Sequence, residues 1–317
     1  MKILDSNEYI SEKLNIKPVT RTRLVDLRDP ESDDYIKVFI KENNLMWNPA
    51  TKCYDCEGDI EVSEDIVTGG KLKIRFGKVD GDFYCDNNNL TTLEGAPQKV
   101  GGDFYCYRNE LTTLKGAPQK VNGNFDCSSN NLTTLEGAPL KVGGYFNCNQ
   151  NYLTTLEDAP KEVGEYFYCE NNNLTTLKGA PQYVGGDFGC NINKLTTLEG
   201  APQKVGGDFN CSFNELTSLE SAPNKVGGEF ACNNNKLTTL EGAPNEVGGN
   251  FDCHSNKLTT LEGAPNKIGK DFRCGGNNLT TLDGAPQKVG GNFYCINNPN
   301  LVLPEEKPSW LKGKIIR

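Results

Sequence analysis

The chain has 317 residues, 36% of them hydrophobic, with a formal net charge of −9 and a sequence pI of about 4.9. That charge repels phosphate backbones and anionic headgroups at long range, so neither nucleic acid nor a membrane surface is an expected partner. Met1 to Glu8 lack the apolar run of a signal peptide, and no later stretch approaches the roughly 20 apolar residues of a membrane helix, so a soluble cytoplasmic protein is expected.

Residues 1–52 follow no repeat. Ile3, Leu4, Ile10 and Leu14 have helical spacing, Thr20 is placed to cap a second short helix through Leu27, and Tyr35-Ile36-Lys37-Val38-Phe39-Ile40 predicts a strand. This α/β segment reads as a cap on the first coil, or as a tether. Residues 53–82 read as a degenerate first coil, because Gly58-Asp59-Ile60-Glu61-Val62 echoes the later Gly-Asp-Phe-Tyr-Cys and Lys71 to Val79 alternates as a strand would. Cys53 and Cys56 form one Cys-x-x-Cys pair. With no second pair outside the repeats and a single histidine, His254, neither a zinc site nor a redox couple is supported.

From residue 83 to 303 the chain repeats with a period of 21, marked by eleven phenylalanines from Phe83, Phe104 and Phe125 to Phe293. Cysteine follows each Phe by two residues and asparagine by five, after which the unit runs Leu-Thr-Thr-Leu, a charge, Gly-Ala-Pro, two polar residues, Val and Gly-Gly. A period of this length is the mark of a solenoid, in which each unit buries its apolar face only against its neighbours. Pro97, Pro118, Pro139 and their successors exclude an α-helix on the back of the coil, so that side should be extended or turn-like. Gly-Gly before each Phe is expected to supply a positive φ at the return turn. Eleven of the thirteen cysteines occupy one column, where a strand spacing of about 4.8 Å exceeds the ~3.8 Å between Cβ atoms that a disulfide prefers. They read as reduced core residues. Residues 304–317, with Trp310, Leu311, Ile315 and Ile316, read as a C-terminal cap.

The stretch Phe-x-Cys-x-x-Asn-x-Leu matches the leucine-rich-repeat core Leu-x-Leu-x-x-Asn-x-Leu. The full unit resembles the short bacterial leucine-rich repeats of secreted effector proteins, one residue longer per turn. The resemblance implies a β-rich solenoid of eleven coils, with parallel strands on the concave face and an extended or turn-like convex side. It also implies a protein of bacterial or phage type that binds other proteins, as a host-interaction factor or an inhibitor. Effectors of this kind carry a separate ligase domain with a catalytic cysteine, and after Ile316 none is expected here.

Alternate strand residues point to opposite sides, so the positions flanking each Phe line the concave face, and there the repeat varies. One group is aromatic: Tyr84, Tyr105, Tyr107, Tyr145, Tyr166 and Tyr168. Exposed aromatics rimmed by Asp and Asn resemble the centre of a protein interface, although tyrosines also stack along ladders for structural reasons. The other group is acidic: Asp82 and Asp103 at one end, Asp187, Asp208 and Glu229 further on. It reads either as a match for a basic partner surface or as a solvated face. Arg108 and Arg273 look like isolated cations. Every candidate nucleophile is a repeated cysteine and His254 has no matched partner, so no enzymatic activity, cofactor or metal is expected. The leading expectation is a non-enzymatic module that binds a protein through the concave strand face. The alternative is a structural or appendage protein that stacks or decorates a larger particle.

Overall fold

A computed structural model describes residues 33–317. The helices expected around Ile3 to Leu14 and Thr20 to Leu27 lie outside the described residues. The strand expected over Tyr35 to Ile40 is instead a helix, α1 (Asp33–Glu42). Tyr35, Ile36, Phe39 and Ile40 form one apolar helical face against the core, while Lys37, Lys41 and Glu42 face solvent. The β-branched run favoured a strand, but the apolar spacing matches the helical period and tertiary packing decides.

The rest is a parallel solenoid with two thirteen-stranded sheets. In the first, each Phe and the residue after it form a two-residue strand that pairs in register with the same two residues one coil on, as Phe83 does with Phe104 and Phe104 with Phe125. Ile60–Glu61 pairs with Phe83–Tyr84 and Ile315–Ile316 with Phe293–Tyr294, so the echo at Gly58 to Val62 and the C-terminal residues each add one strand to the ladder. Lys71 to Val79 is not one strand but two, Lys71–Leu72 and Phe76–Val79.

The second sheet was not anticipated. It is built from the repeat valine and the residue before it, such as Lys99–Val100 and Lys120–Val121, and it begins at Met46–Asn48 and Cys53–Cys56. Two-residue strands are too short to show alternation, so valine could be read only as a core position.

Between the sheets the Phe rings stack at centroid distances such as 5.4 Å for Phe83 and Phe104 and 5.2 Å for Phe104 and Phe125. The cysteine column beside them is buried, and its thiols are free. Cys127 Sγ lies 3.3 Å from the Asn147 carbonyl of the next coil, to which it donates. Burial pushes these thiols well above their ordinary range, which keeps them neutral. Cys53 and Cys56 donate to the carbonyls of Thr51 and Asn43, which suits a structural role.

The Gly-Gly pairs act differently from the expectation. Positive φ falls on the glycine of Gly-Ala-Pro, for example Gly95 at 95°, and not on Gly-Gly. Gly206 is needed because a Cβ there would sit 2.1 Å from the Gly185 carbonyl oxygen of the preceding coil. Close stacking, not backbone handedness, selects glycine at that place.

Candidate functional site

Phe104 points into the core, so Asp103 and Tyr105 on either side of it project together from the outer face. Tyrosines and acids that looked like separate groups are therefore joined. Tyr84 Oη donates to Asp82 Oδ2 at 2.9 Å, and Tyr105 Oη to Asp103 Oδ2 at 2.6 Å. The rings of Tyr84 and Tyr105 stack at 5.2 Å, and Tyr107 meets Tyr105 edge-on at 6.3 Å. The hydrogen bond to Asp82, with burial, pushes the Tyr84 phenol up to about 12. Burial and the Asp103 bond push Tyr105 up as well, and Tyr145 bears on the same hydroxyl.

Tyr166 and Tyr168, on either side of Phe167, stack on each other at 5.8 Å and form a second group apart from the first. Tyr166 is exposed and Tyr168 half-buried, with burial pushing the Tyr168 phenol up to about 12. The six tyrosines are thus two clusters, with Tyr145 belonging to the first through the Tyr105 hydroxyl.

The acidic residues have a backbone task that the sequence did not suggest. Asp82 Oδ1 accepts the backbone N–H of Asp103 at 2.7 Å, Asp103 Oδ1 that of Asn124 at 2.7 Å, Asp187 Oδ1 that of Asp208 at 2.8 Å, and Asp208 Oδ1 that of Glu229 at 2.6 Å. In these four aspartates Oδ1 holds coil to coil, leaving Oδ2 for the tyrosines at Asp82 and Asp103, while Glu229 accepts the Asn250 side-chain amide at 2.6 Å instead. Asn124 and Asn250 make the same bond with an amide oxygen, so the structural role needs the acceptor and not the charge.

Three further features lie on this face or past the ends of its strands. A depression of about 160 Å³ lies over the central coils, floored by Gly189, Asn210 and Ala231 and walled by Tyr168, Glu170, Asp187, Asp208 and Glu229. Its signal in the sequence was the pair of small residues in a column that elsewhere carries Tyr, Asp, Asn or Arg. At Gly189 a Cβ would come within 3.1 Å of the Tyr168 ring and closer still to the Glu170 carboxylate, so the glycine makes room for both. Ile192 and Phe213, one coil apart, are exposed beyond the strand ends. Arg273 is not isolated: its guanidinium lies 3.5 Å from Asp271, 3.9 Å from Asp252 and 4.0 Å from Glu229. Asp252 Oδ1 also meets His254 Nδ1 at 2.6 Å, which gives that histidine a structural partner.

The coil thus formed, a short parallel strand closed by a buried asparagine, is that of a parallel β-solenoid and has the geometry that the Phe-x-Cys-x-x-Asn-x-Leu pattern implied. No family model and no curated protein sequence matches the chain. Among solved structures it is similar to YopM from Yersinia enterocolitica WA-314, at 17% identity and a TM-score of 0.43, over 82% of this chain and 68% of that one. A leucine-rich effector, YopM from Yersinia pestis, is similar over 82% of this chain and 88% of its own, at 15% identity and a TM-score of 0.39. Among the described residues no helix is long and apolar enough to cross a membrane.

Proposed function

We propose that the protein is a non-catalytic, cytoplasmic binding module that recognises a partner protein through the concave face of its Phe sheet. The observation that carries this reading is the tethering of Tyr84 and Tyr105 by Asp82 and Asp103 beneath a stacked pair of rings. Rigid aromatic surface loses little side-chain entropy when a partner covers it, and Tyr is enriched among the residues that dominate interfaces. A rim of Asp and Asn around the rings suits a partner with basic groups at its edge.

Affinity capture from bacterial lysate followed by mass spectrometry tests this, using the intact chain and a Tyr84→Ala/Tyr105→Ala double variant. One or more proteins retained by the first and lost by the second are expected. Identical capture by both, with both folded, would remove the tyrosine face from consideration. End-to-end stacking has less support, because Trp310 lies edge-on over Phe293 at 5.4 Å and α1 packs against the opposite end.

A further inference from the structure

We infer that the central coils carry a docking site of their own, for a polypeptide segment that presents a cationic side chain close to a large apolar one. The reading rests on the protein-binding function proposed above but on different residues, so the two stand or fall separately.

The cationic half follows from the depression over Gly189 and Ala231. Its walls hold the carboxylates of Glu170, Asp187, Asp208 and Glu229, with the ring of Tyr168 at one end. Among the described residues Glu170, Asp187 and Asp208 have no basic partner, and only Glu229 is approached, by Arg273 at 4.0 Å. Burial raises the Glu170 carboxyl, a penalty that a cation in the depression would relieve. A lysine or arginine side chain entering beside Tyr168 would meet carboxylates and a ring face together, and its methylenes would lie along the small residues Gly189 and Ala231 on either side of Asn210.

The apolar half follows from an oddity of backbone. The position four residues after each Phe has positive φ, and most coils place there a residue that tolerates it or a flexible polar one: Asn87, Asn171, Asn234, Ser255, Gly276 and Asn297 among them. Two of the coils that line the depression instead carry Ile192 at φ 55° and Phe213 at φ 53°, with 51% and 55% of their surface exposed. A β-branched or aromatic residue in the left-handed region costs backbone energy, and exposure means that core packing does not return it. Such outliers cluster where function needs them. Ile192 lies three residues from Gly189, so the apolar pair begins within about 10 Å of the depression, the reach of a few residues of extended chain.

Selection of short random peptides displayed on phage against the full chain tests the site, followed by fluorescence anisotropy on the best binder. Peptides carrying Arg or Lys within a few positions of Leu, Ile or Phe are expected. Their affinity should fall about tenfold on Asp208→Asn and again on Phe213→Asn, while Asp103→Asn and Tyr84→Ala leave it unchanged. Both key variants should fold, since Asn124 and Asn250 already stand in the column of Asp208, and Asn171 and Asn234 in that of Phe213. Acidic or uncharged binders, or affinities indifferent to both substitutions, would overturn the inference. So would binding of Ca²⁺ or Mg²⁺ alone that Asp208→Asn abolishes, which would assign the depression to a metal ion. Loss on Tyr84→Ala alone would keep the tyrosine face and discard this one.

Discussion

A left-handed backbone imposes the same demand on every coil, and at Phe213 the residue does not meet it. Asparagine reaches that region more easily than an aromatic residue, so Phe213→Asn should stabilise the protein by about 1 kcal/mol, as a rise in urea midpoint at constant slope. A lower midpoint would mean that the exposed ring makes contacts worth more than the backbone penalty. Tyr84 supports a second test at this scale. Its phenol is pushed up from 10.0 to about 12, so the folded state holds the proton more tightly than the unfolded chain. The stability this contributes is fully present below pH 10 and is lost as pH rises through 12. Tyr84→Phe should therefore show a shallower loss of stability over that window in alkaline melts. An equal slope for both proteins would indicate that Asp82 does not hold the hydroxyl. The sequence separated tyrosines from acids by residue type. Only the shared outward direction of Asp82 and Tyr84 around buried Phe83 shows that they form one network.

The repeating elements are held by ladders of side chains as much as by strands. Asn172 Nδ2 donates to the carbonyls of Cys148 at 3.1 Å and Cys169 at 3.2 Å, and its Oδ1 accepts the Leu153 N–H at 3.0 Å. Asn172→Ala would leave these buried backbone groups without partners, at about 1 to 3 kcal/mol, and a thermal melt should show the loss while peptide binding at the central coils persists. An unchanged melt would deny the ladder its role. This asparagine was legible from the sequence because one column of identical residues at a strand end has few other uses. The Asp82 to Asp103 ladder was not. Its column mixes Asp, Asn, Tyr and Glu, and such variation looks like freedom until the Oδ1 bonds are seen. The second sheet escaped for a related reason, since a single valine flanked by a variable residue leaves no alternation to detect.

At the scale of the molecule, regularity made the fold readable and the site hard to find. A period of 21 residues, the inward Phe and Cys and the stacked asparagines follow from the need of each coil to cover its neighbour. The depression at Gly189 is a departure confined to a few coils, and it shows only when its carboxylates, small floor and apolar neighbours are seen together in space. The same dependence on neighbours makes the ends vulnerable. Val289 N–H donates to the Trp310 carbonyl at 2.9 Å, Leu311 is buried, and Ile315 pairs with Phe293. Removal of residues 304–317 would uncover the Phe293 ring together with the open edges of both sheets, and an exposed apolar strand edge invites pairing with another chain. Sedimentation velocity should then show concentration-dependent association of the truncated protein where the intact chain shows none, and charge added by Tyr294→Lys should suppress it. A truncated chain that stays monomeric and melts like the intact one would mean that the last Phe coil closes the solenoid by itself, and that Trp310 contributes nothing to its end.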